Sequence, residues 1–223
     1  MYLSKVTLAP SCDMANILLK LQRNGAYSSH QLLWQLFTQE EQRQFIFRQE
    51  QAVNGLPTFF VLSLNEPSLN SDIFQVKSKE FEPKLHEGQR LAFKLRVNPT
   101  ICITDTNGHS KRHDVLMHAK YQMKHENGTI VDVKRHMDQA AHQWICDEKR
   151  LEHWGMQLDS LPEIEAYTQH KTLKKLGHRL QFSSVDFQGV LTLTQPEKFL
   201  SQYANGFGRA KALGCGLMLI RSI

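Results

Sequence analysis

The sequence lacks any long apolar segment. No stretch approaches the ~20 apolar residues that a membrane-spanning helix needs, so an integral membrane protein is not expected. Residues 1–8 (MYLSKVTL) alternate polar and apolar side chains as a strand does, and they lack the pattern of a signal peptide. We therefore expect a cytoplasmic protein.

Cysteine is scarce and gives no sign of a disulfide framework. The 223 residues include four cysteines, which are widely scattered and form no C-x-x-C pair. Reduced, mostly buried thiols are expected. The chain has 11 histidines, and His109, His113 and His118 lie close together, but their spacing matches no established zinc pattern. We expect neither a metal nor a cofactor.

The charge balance is basic. Lys and Arg number 27 against 22 Asp and Glu, which gives a formal net charge of +5 and a pI near 9.0. Net charge affects association and not the fold, so this excess is modest evidence for a polyanionic partner.

A glycine-rich segment near the end of the chain is the strongest local signal. Residues 206–217 read GFGRAKALGCGL. They lack the spacing of a P-loop, and Lys211 occupies the third glycine position of a dinucleotide-binding fingerprint. Two readings remain for the glycines, a tight connection between a helix and a strand, or close approach of the backbone to a phosphate.

Positive charge inside this segment favours the phosphate reading. Arg209 and Lys211 lie between the glycines, where cations and exposed backbone N–H groups together can hold an anion. The expected contacts with a nucleic-acid backbone are Gly206, Gly208, Arg209, Lys211, Gly214 and Gly216.

The hydrophobic patterns predict an α+β fold. Strands are predicted at residues 1–8, 56–64, 72–79, 91–97, 185–193 and 217–220. Helices are predicted at residues 30–50, 136–154 and 196–203, the first of them capped by Ser28 or Ser29. Residues 104–134 are polar and rich in turn signals, and we expect loops or hairpins there.

The order of these elements predicts two tandem ferredoxin-like (RRM-like) domains. The second half reads strand, helix, strand, strand, helix, strand, which is the split βαβ order. The first half gives the same order with its second helix missing or degenerate. We place the domains at residues 1–87 and 88–223, joined near Gly88.

Four segments together resemble the CasE (Cse3) family of CRISPR RNA-processing endoribonucleases of type I-E systems. They are residues 1–5 (MYLSK), 95–99 (LRVNP), 185–191 (VDFQGVL) and the glycine-rich segment. The resemblance implies two tandem ferredoxin-like domains. It also implies that the protein binds and cuts a CRISPR repeat RNA hairpin, then stays on the stem-loop with the other subunits of a Cascade-like surveillance complex.

The resemblance assigns the catalytic role to His30 and a supporting role to Tyr27. The chemistry suits a histidine, because RNA supplies its own nucleophile, the 2′-hydroxyl, and an imidazole with a pKa of ~6.5 moves protons near neutral pH. The implied products carry a 2′,3′-cyclic phosphate and a 5′-hydroxyl. Whether His30 acts as the general base or the general acid stays open.

RNA capture is expected from a basic segment, residues 170–179 (HKTLKKLGHR), which contains no acidic residue. It falls where the family has a basic hairpin that enters the groove at the base of the stem. The candidates for phosphate contacts are Lys171, Lys174, Lys175 and Arg179. A solvated lysine-rich turn is the alternative. Arg96 either contributes to the RNA surface or forms a salt bridge on its strand.

Two other functions fit the sequence less well. The same fold could serve as a non-catalytic RNA-hairpin-binding subunit of a ribonucleoprotein complex, although the resemblance to a catalytic pair argues against this. A metal-dependent nuclease ranks last, because no metal-ligand pattern is visible.

Overall fold

The computed structural model describes residues 1–10, 13–125, 129–173 and 179–223. Its helices and strands are β1 (Tyr2–Leu8), α1 (Met14–Trp34), β2 (Phe45–Gln51), β3 (Pro57–Ser63), β4 (Phe74–Glu80), β5 (Arg90–Val97), β6 (Thr100–Thr104), β7 (Ser110–Asp114), α2 (Val115–His125), α3 (Ile130–Ile145), α4 (Glu148–Trp154), β8 (Met156–Leu158), β9 (Glu163–Leu173), β10 (Arg179–Leu193), α5 (Pro196–Asn205) and β11 (Met218–Ser222). A short 3₁₀ helix, Lys211–Leu213, precedes β11.

The first sheet has the strand order β2-β3-β1-β4, and its strand pairs are antiparallel. α1 connects β1 to β2, and residues 64–73, between β3 and β4, carry no helix. This is the ferredoxin-like order without its second helix, as the sequence predicted. The core between α1 and the sheet includes the fully buried side chains of Val6, Leu33, Phe59 and Val61.

The helix predicted at residues 30–50 is wrong at both ends. α1 begins after Asp13, whose side chain accepts a hydrogen bond from the backbone N–H of Asn16, and it ends at Trp34. Gly25, at φ 46° and ψ −127°, kinks it, so residues 26–34 form a separate final leg. Phe45–Gln51 is strand β2, because Phe45 and Phe47 follow a two-residue period and the segment pairs with β3 along its whole length.

The second sheet completes the split βαβ order. Its strand order is β11-β5-β10-β8, with β9 also paired to β10. Helices α2, α3 and α4 follow β5, and α5 connects β10 to β11. Alternate residues of β5 (Leu91, Phe93, Leu95 and Val97) are buried, which gives the sheet one apolar face. The prediction of two tandem ferredoxin-like domains is confirmed.

The segment predicted as loops or hairpins, residues 104–134, is only partly so. β6 and β7 do form a two-stranded hairpin, but α2 and the start of α3 follow it. α3 begins at a capping box, in which the Thr129 hydroxyl accepts from the Asp132 N–H and the Asp132 carboxylate accepts from the Thr129 N–H. The single helix predicted at residues 136–154 is two, because Asp147 caps the start of α4.

The chain forms two compact units that do not follow the covalent order. The first contains Met1–Lys84, Gln169–Gln181 and Ser201–Met218, and the second contains Leu85–Thr168, Phe182–Leu200 and Leu219–Ile223. The glycine-rich segment is therefore part of the same unit as α1 and the first sheet. The domain boundary expected between residues 87 and 88 stays a prediction.

None of the helices in the described ranges combines the length and the apolar character of a membrane-spanning segment. Cys215 is buried, Cys146 is partly buried and Cys102 is exposed, so the described thiols are less uniformly buried than expected. Cys12 lies outside the described residues.

Candidate active site and nucleic-acid interface

His30 lies in the final leg of α1 and packs against the start of β2. Its ring stacks on Phe45, with centroids 5.8 Å apart and planes inclined by 26°. The ring of Trp34, one turn further along, meets it edge-on at 5.5 Å. Nε2 of His30 is buried and has no hydrogen-bond partner among the described residues, so this nitrogen can still accept or donate a hydrogen bond.

The surroundings of His30 disfavour its charged form. Burial lowers the pKa of the imidazole below its usual 6.5, and the positive charge of Arg43 lowers it further. The ring is therefore neutral near pH 7. A neutral imidazole can take up a proton, which is the property required of a general base.

Tyr27 lies three residues before His30 and hence on the same side of the helix. Its hydroxyl oxygen accepts a hydrogen bond from Gln31 Nε2 at 3.3 Å. Both residues implied by the family resemblance are thus within one turn of α1. The caps expected at Ser28 and Ser29 are wrong, because both are buried inside the helix. Ser29 instead lies 2.7 Å from Gln49 Oε1 on β2.

The glycine-rich segment folds into a turn that packs on α1 and β2, and we call it the glycine-rich turn. Its 3₁₀ helix, Lys211–Leu213, contacts both of these elements. Gly216 has φ +92°, and a Cβ there would lie 2.8 Å from the carbonyl oxygen of Phe207. Gly214 has φ +81° and lies against Phe47 of β2. The connecting-turn reading therefore explains Gly214 and Gly216 by conformation and packing, and the same packing brings Arg209 and Lys211 into the unit that holds His30.

Arg43 is a functional candidate without a signal in the sequence, where it falls inside the helix predicted at residues 30–50. It lies just before β2, where Nη1 donates a hydrogen bond to the carbonyl oxygen of Phe45. Burial lowers the pKa of Arg43. Burial also lowers the pKa of Lys211, and the charges of Arg43 and Arg209 lower it further. We call Arg43, Arg209 and Lys211 the cation cluster.

Arg96 is held by an ion pair. Its guanidinium binds both carboxylate oxygens of Asp186, with Nε–Oδ1 and Nη2–Oδ2 distances of 2.8 Å. The two residues are directly opposite each other on β5 and β10. Asp186 is buried, so the salt-bridge alternative accounts for Arg96 without RNA.

The basic segment begins in β9 and ends at the first residue of β10, and these two strands pair with each other. Lys171 is exposed on β9, and Arg179 is the first residue of β10. Lys174 and Lys175 lie outside the described residues. In the described ranges, no group of three or more His, Cys, Asp or Glu is placed to hold a metal ion. His113 and His118 are neighbours, with ring centroids 5.9 Å apart.

These features define a protein of two ferredoxin-like domains in which a half-buried histidine shares a folded unit with three clustered cations. Residues 1–222 match the family model described as CRISPR associated protein, and the chain belongs to this family, in its CasE (Cse3) branch. The resemblance found in the sequence is thereby confirmed.

Named relatives match over almost the whole chain. The chain is 28% identical to CRISPR-associated endoribonuclease Cse3 of Thermus thermophilus, covering 99% of both proteins. It is 25% identical to CRISPR system Cascade subunit CasE of Escherichia coli, covering 98% of both. A structure of Thermus thermophilus Cse3 bound to an RNA representing a pre-cleavage complex is similar, with a TM-score of 0.71, 27% identity, and 99% of this chain and 98% of that chain covered.

Proposed function

We propose that this endoribonuclease binds the hairpin of a CRISPR repeat RNA and cuts one phosphodiester through attack by the RNA's own 2′-hydroxyl. In this step the O2′–P bond forms and the P–O5′ bond breaks. His30 takes the proton of the 2′-hydroxyl, and the departing 5′-oxygen takes a proton from solvent. The products are a 2′,3′-cyclic phosphate and a 5′-hydroxyl.

The observation that supports this function most is the position of His30 in the same folded unit as the cation cluster. RNA brings both the nucleophile and a negatively charged phosphate. The protein needs to supply only a proton acceptor and positive charge, so the chemistry requires no metal. General acid–base help of this kind is typically worth ~10²–10⁴-fold in rate.

We assign His30 as the general base and Tyr27 as a supporting residue. The lowered pKa of His30 gives the neutral ring that a base must have. Its Nε2 is buried without a partner, so the ring or its neighbours must move before this atom meets an RNA. Catalytic side chains commonly reach their productive geometry only when the substrate binds. Tyr27 lies on the same side of the helix and can orient the phosphate.

We propose that the stem of the hairpin is held by the basic segment and the glycine-rich turn. An A-form helix offers mainly phosphates and 2′-hydroxyls, because its major groove is deep and narrow. Lysine and arginine side chains suit such contacts. The proposed contacts are Lys171, Lys174, Lys175, Arg179, Gly206, Gly208, Arg209, Lys211, Gly214 and Gly216.

The cellular role follows from the relatives. One relative is named as a Cascade subunit, and we propose that this chain keeps its cut stem-loop and joins a surveillance complex of that kind in the cytoplasm. We also propose that the covalent boundary between its two domains lies between residues 87 and 88, in the connection from β4 to β5.

A second candidate is an RNA-hairpin-binding subunit that does not cleave. The burial of His30 Nε2 favours it, because a shielded imidazole can be a packing residue. Both candidates predict tight binding of the hairpin, and they differ in whether the RNA is cut.

The deciding experiment incubates the wild-type protein with repeat RNA labelled at both ends, in buffer containing EDTA. The proposed function predicts one cut, with a cyclic phosphate on the upstream product and a hydroxyl on the downstream one. A repeat RNA with a single 2′-deoxy substitution at the cut site should bind and remain intact. Wild-type RNA that is bound tightly and left uncut would establish the second candidate instead.

A further inference from the structure

Arg43 is fixed beside the ring that supports His30. Its Nη1 donates a hydrogen bond to the carbonyl oxygen of Phe45. The imidazole of His30 stacks on the ring of the same Phe45. This hydrogen bond holds the guanidinium at the residue on which His30 stacks, and the positive charge of Arg43 lowers the pKa of the imidazole. The other N–H groups of a guanidinium stay available as a planar fork that matches phosphate oxygens.

The first residues of β2 connect Arg43 to the glycine-rich turn. Phe45 packs against His30, and the next two residues, Ile46 and Phe47, pack against the glycine-rich turn. A Cβ on Gly206 would lie 3.0 Å from Cδ1 of Ile46, and one on Gly214 would lie 3.3 Å from Cε2 of Phe47. The turn that carries Lys211 is therefore fixed on the strand that follows Arg43.

Arg43 and Lys211 lack a compensating negative charge. Neither forms an ion pair with a carboxylate in the described ranges. Both side chains are partly buried, and burial lowers the pKa of each by disfavouring its charged form. Partly buried cations that are near one another destabilise a folded protein unless an anion binds between them.

We propose that Arg43 and Lys211 bind the scissile phosphate beside His30. The guanidinium N–H groups of Arg43 donate hydrogen bonds to the non-bridging oxygens of this phosphate. This inference rests on the proposed function and adds a residue to it. Because negative charge builds up on these oxygens during attack by the 2′-hydroxyl, cations held there stabilise the transition state more than the ground state. Arg43 should therefore affect the cleavage rate more than the affinity for RNA.

The test compares Arg43→Gln, Arg43→Lys and Lys211→Gln with the wild type in single-turnover cleavage of repeat RNA. Affinity is measured in parallel with the uncleavable 2′-deoxy RNA. Arg43→Gln should lower the rate by ~10²–10³-fold, the typical effect of removing one such donor, and should change affinity far less. Arg43→Lys should recover part of the rate, because it keeps the charge and loses the fork.

Arg221→Gln is the matched control, since Arg221 is an exposed arginine on β11 with no role in the proposed site. If Arg43→Gln cleaves the RNA as fast as the wild type and Arg221→Gln do, this inference fails and the proposed function stands. If none of them cleaves, including the wild type, the proposed function itself fails.

A second measurement tests the contact directly and does not depend on the rate. The scissile phosphate of the 2′-deoxy RNA is replaced by an uncharged methylphosphonate, and the loss of affinity is measured for the wild type, Arg43→Lys and Lys211→Gln. The loss should be smaller in each variant, because part of the partner charge or geometry is already gone. An equal loss in all three proteins would overturn the inference, even if Arg43→Gln does not fold.

Discussion

The rings of His30 and Phe45 stack with centroids 5.8 Å apart and planes inclined by 26°. Phe45 stacks in turn on Phe37, at 4.7 Å and 12°. A continuous row of rings therefore links the imidazole to the core of the first domain. This row determines where the imidazole lies, and the properties of His30 consequently depend on residues that no RNA touches.

Replacing Phe45 by leucine should disturb both stability and cleavage. The substitution removes a buried ring and its two stacks, so the free energy of unfolding should fall by about 1–3 kcal/mol. The imidazole loses its support, so the single-turnover cleavage rate should fall as well. Urea unfolding and a cleavage assay measure the two effects.

Phe59→Leu is the matched control for Phe45. Phe59 is fully buried and its ring contacts Phe47 and Phe74, but not His30. It should lose similar stability and keep the wild-type cleavage rate under conditions in which it is folded. Equal losses of rate in the two variants would show that Phe45 acts on stability alone.

The pH dependence of cleavage should reveal the role of His30. A general base is active when neutral, so the rate should rise with pH through the pKa of His30 in the protein. Burial and the charge of Arg43 place that pKa below 6.5, and the rate should therefore reach half its maximum at a pH below 6.5. A rate that falls as pH rises through this range would make His30 the general acid.

The same profile separates the two partly buried cations. The charge of Arg43, in the segment before β2, lowers the pKa of His30, and we expect no comparable effect from Lys211 in the glycine-rich turn. Arg43→Gln should move the rising limb to higher pH, and Lys211→Gln should leave it in place. Equal shifts in both variants would show that the two charges reach the imidazole alike.

The glycine-rich turn should tolerate alanine poorly at Gly216. Its φ of +92° is unfavourable for any side chain, and its Cβ would clash with the backbone oxygen of Phe207 at 2.8 Å. Gly55→Ala is the control, since Gly55 has φ +77° and no atom of the described residues would lie within 4 Å of its Cβ. A left-handed alanine costs about 1–3 kcal/mol, so Gly55→Ala should lose that amount and Gly216→Ala more. Similar losses in urea unfolding would contradict the close packing.

Arg96→Gln should lower stability without weakening RNA binding. The substitution leaves the buried carboxylate of Asp186 without its bidentate partner, which should cost about 1–3 kcal/mol or more. Thermal or urea unfolding measures this loss of stability. Titration with the uncleavable hairpin RNA measures the affinity for RNA. Unchanged stability together with weaker binding would return Arg96 to the RNA surface.

Several strands of the two sheets could be predicted from the sequence, whereas β2, β8, β9 and the bounds of the first helix could not. β1, β3 and β5 show short apolar runs or strict alternation between turn signals, which give a strand directly. The segment from Leu32 to Phe45 misled the prediction, because Leu32, Leu33, Leu36 and Phe37 continue a helical spacing that Phe45 happens to fit. The pairing of β2 with β3 is a non-local interaction and decides the matter.

The candidate site shows the same division between local and distant information. A resemblance pointed to Tyr27 and His30, and the glycine-rich segment pointed to Lys211. Arg43 carries no local signal, because its importance depends on the packing of β2 against the glycine-rich turn some 160 residues later in the chain. A single sequence does not reveal that packing.

The most direct test of a histidine-based active site is the single-turnover cleavage rate of His30→Ala in buffer containing EDTA, at protein concentrations that bind all of the repeat RNA. We predict that the wild type cuts the RNA and that His30→Ala binds it with similar affinity and cuts at least ~10²-fold more slowly. Cleavage by His30→Ala at the wild-type rate would remove His30 from the mechanism.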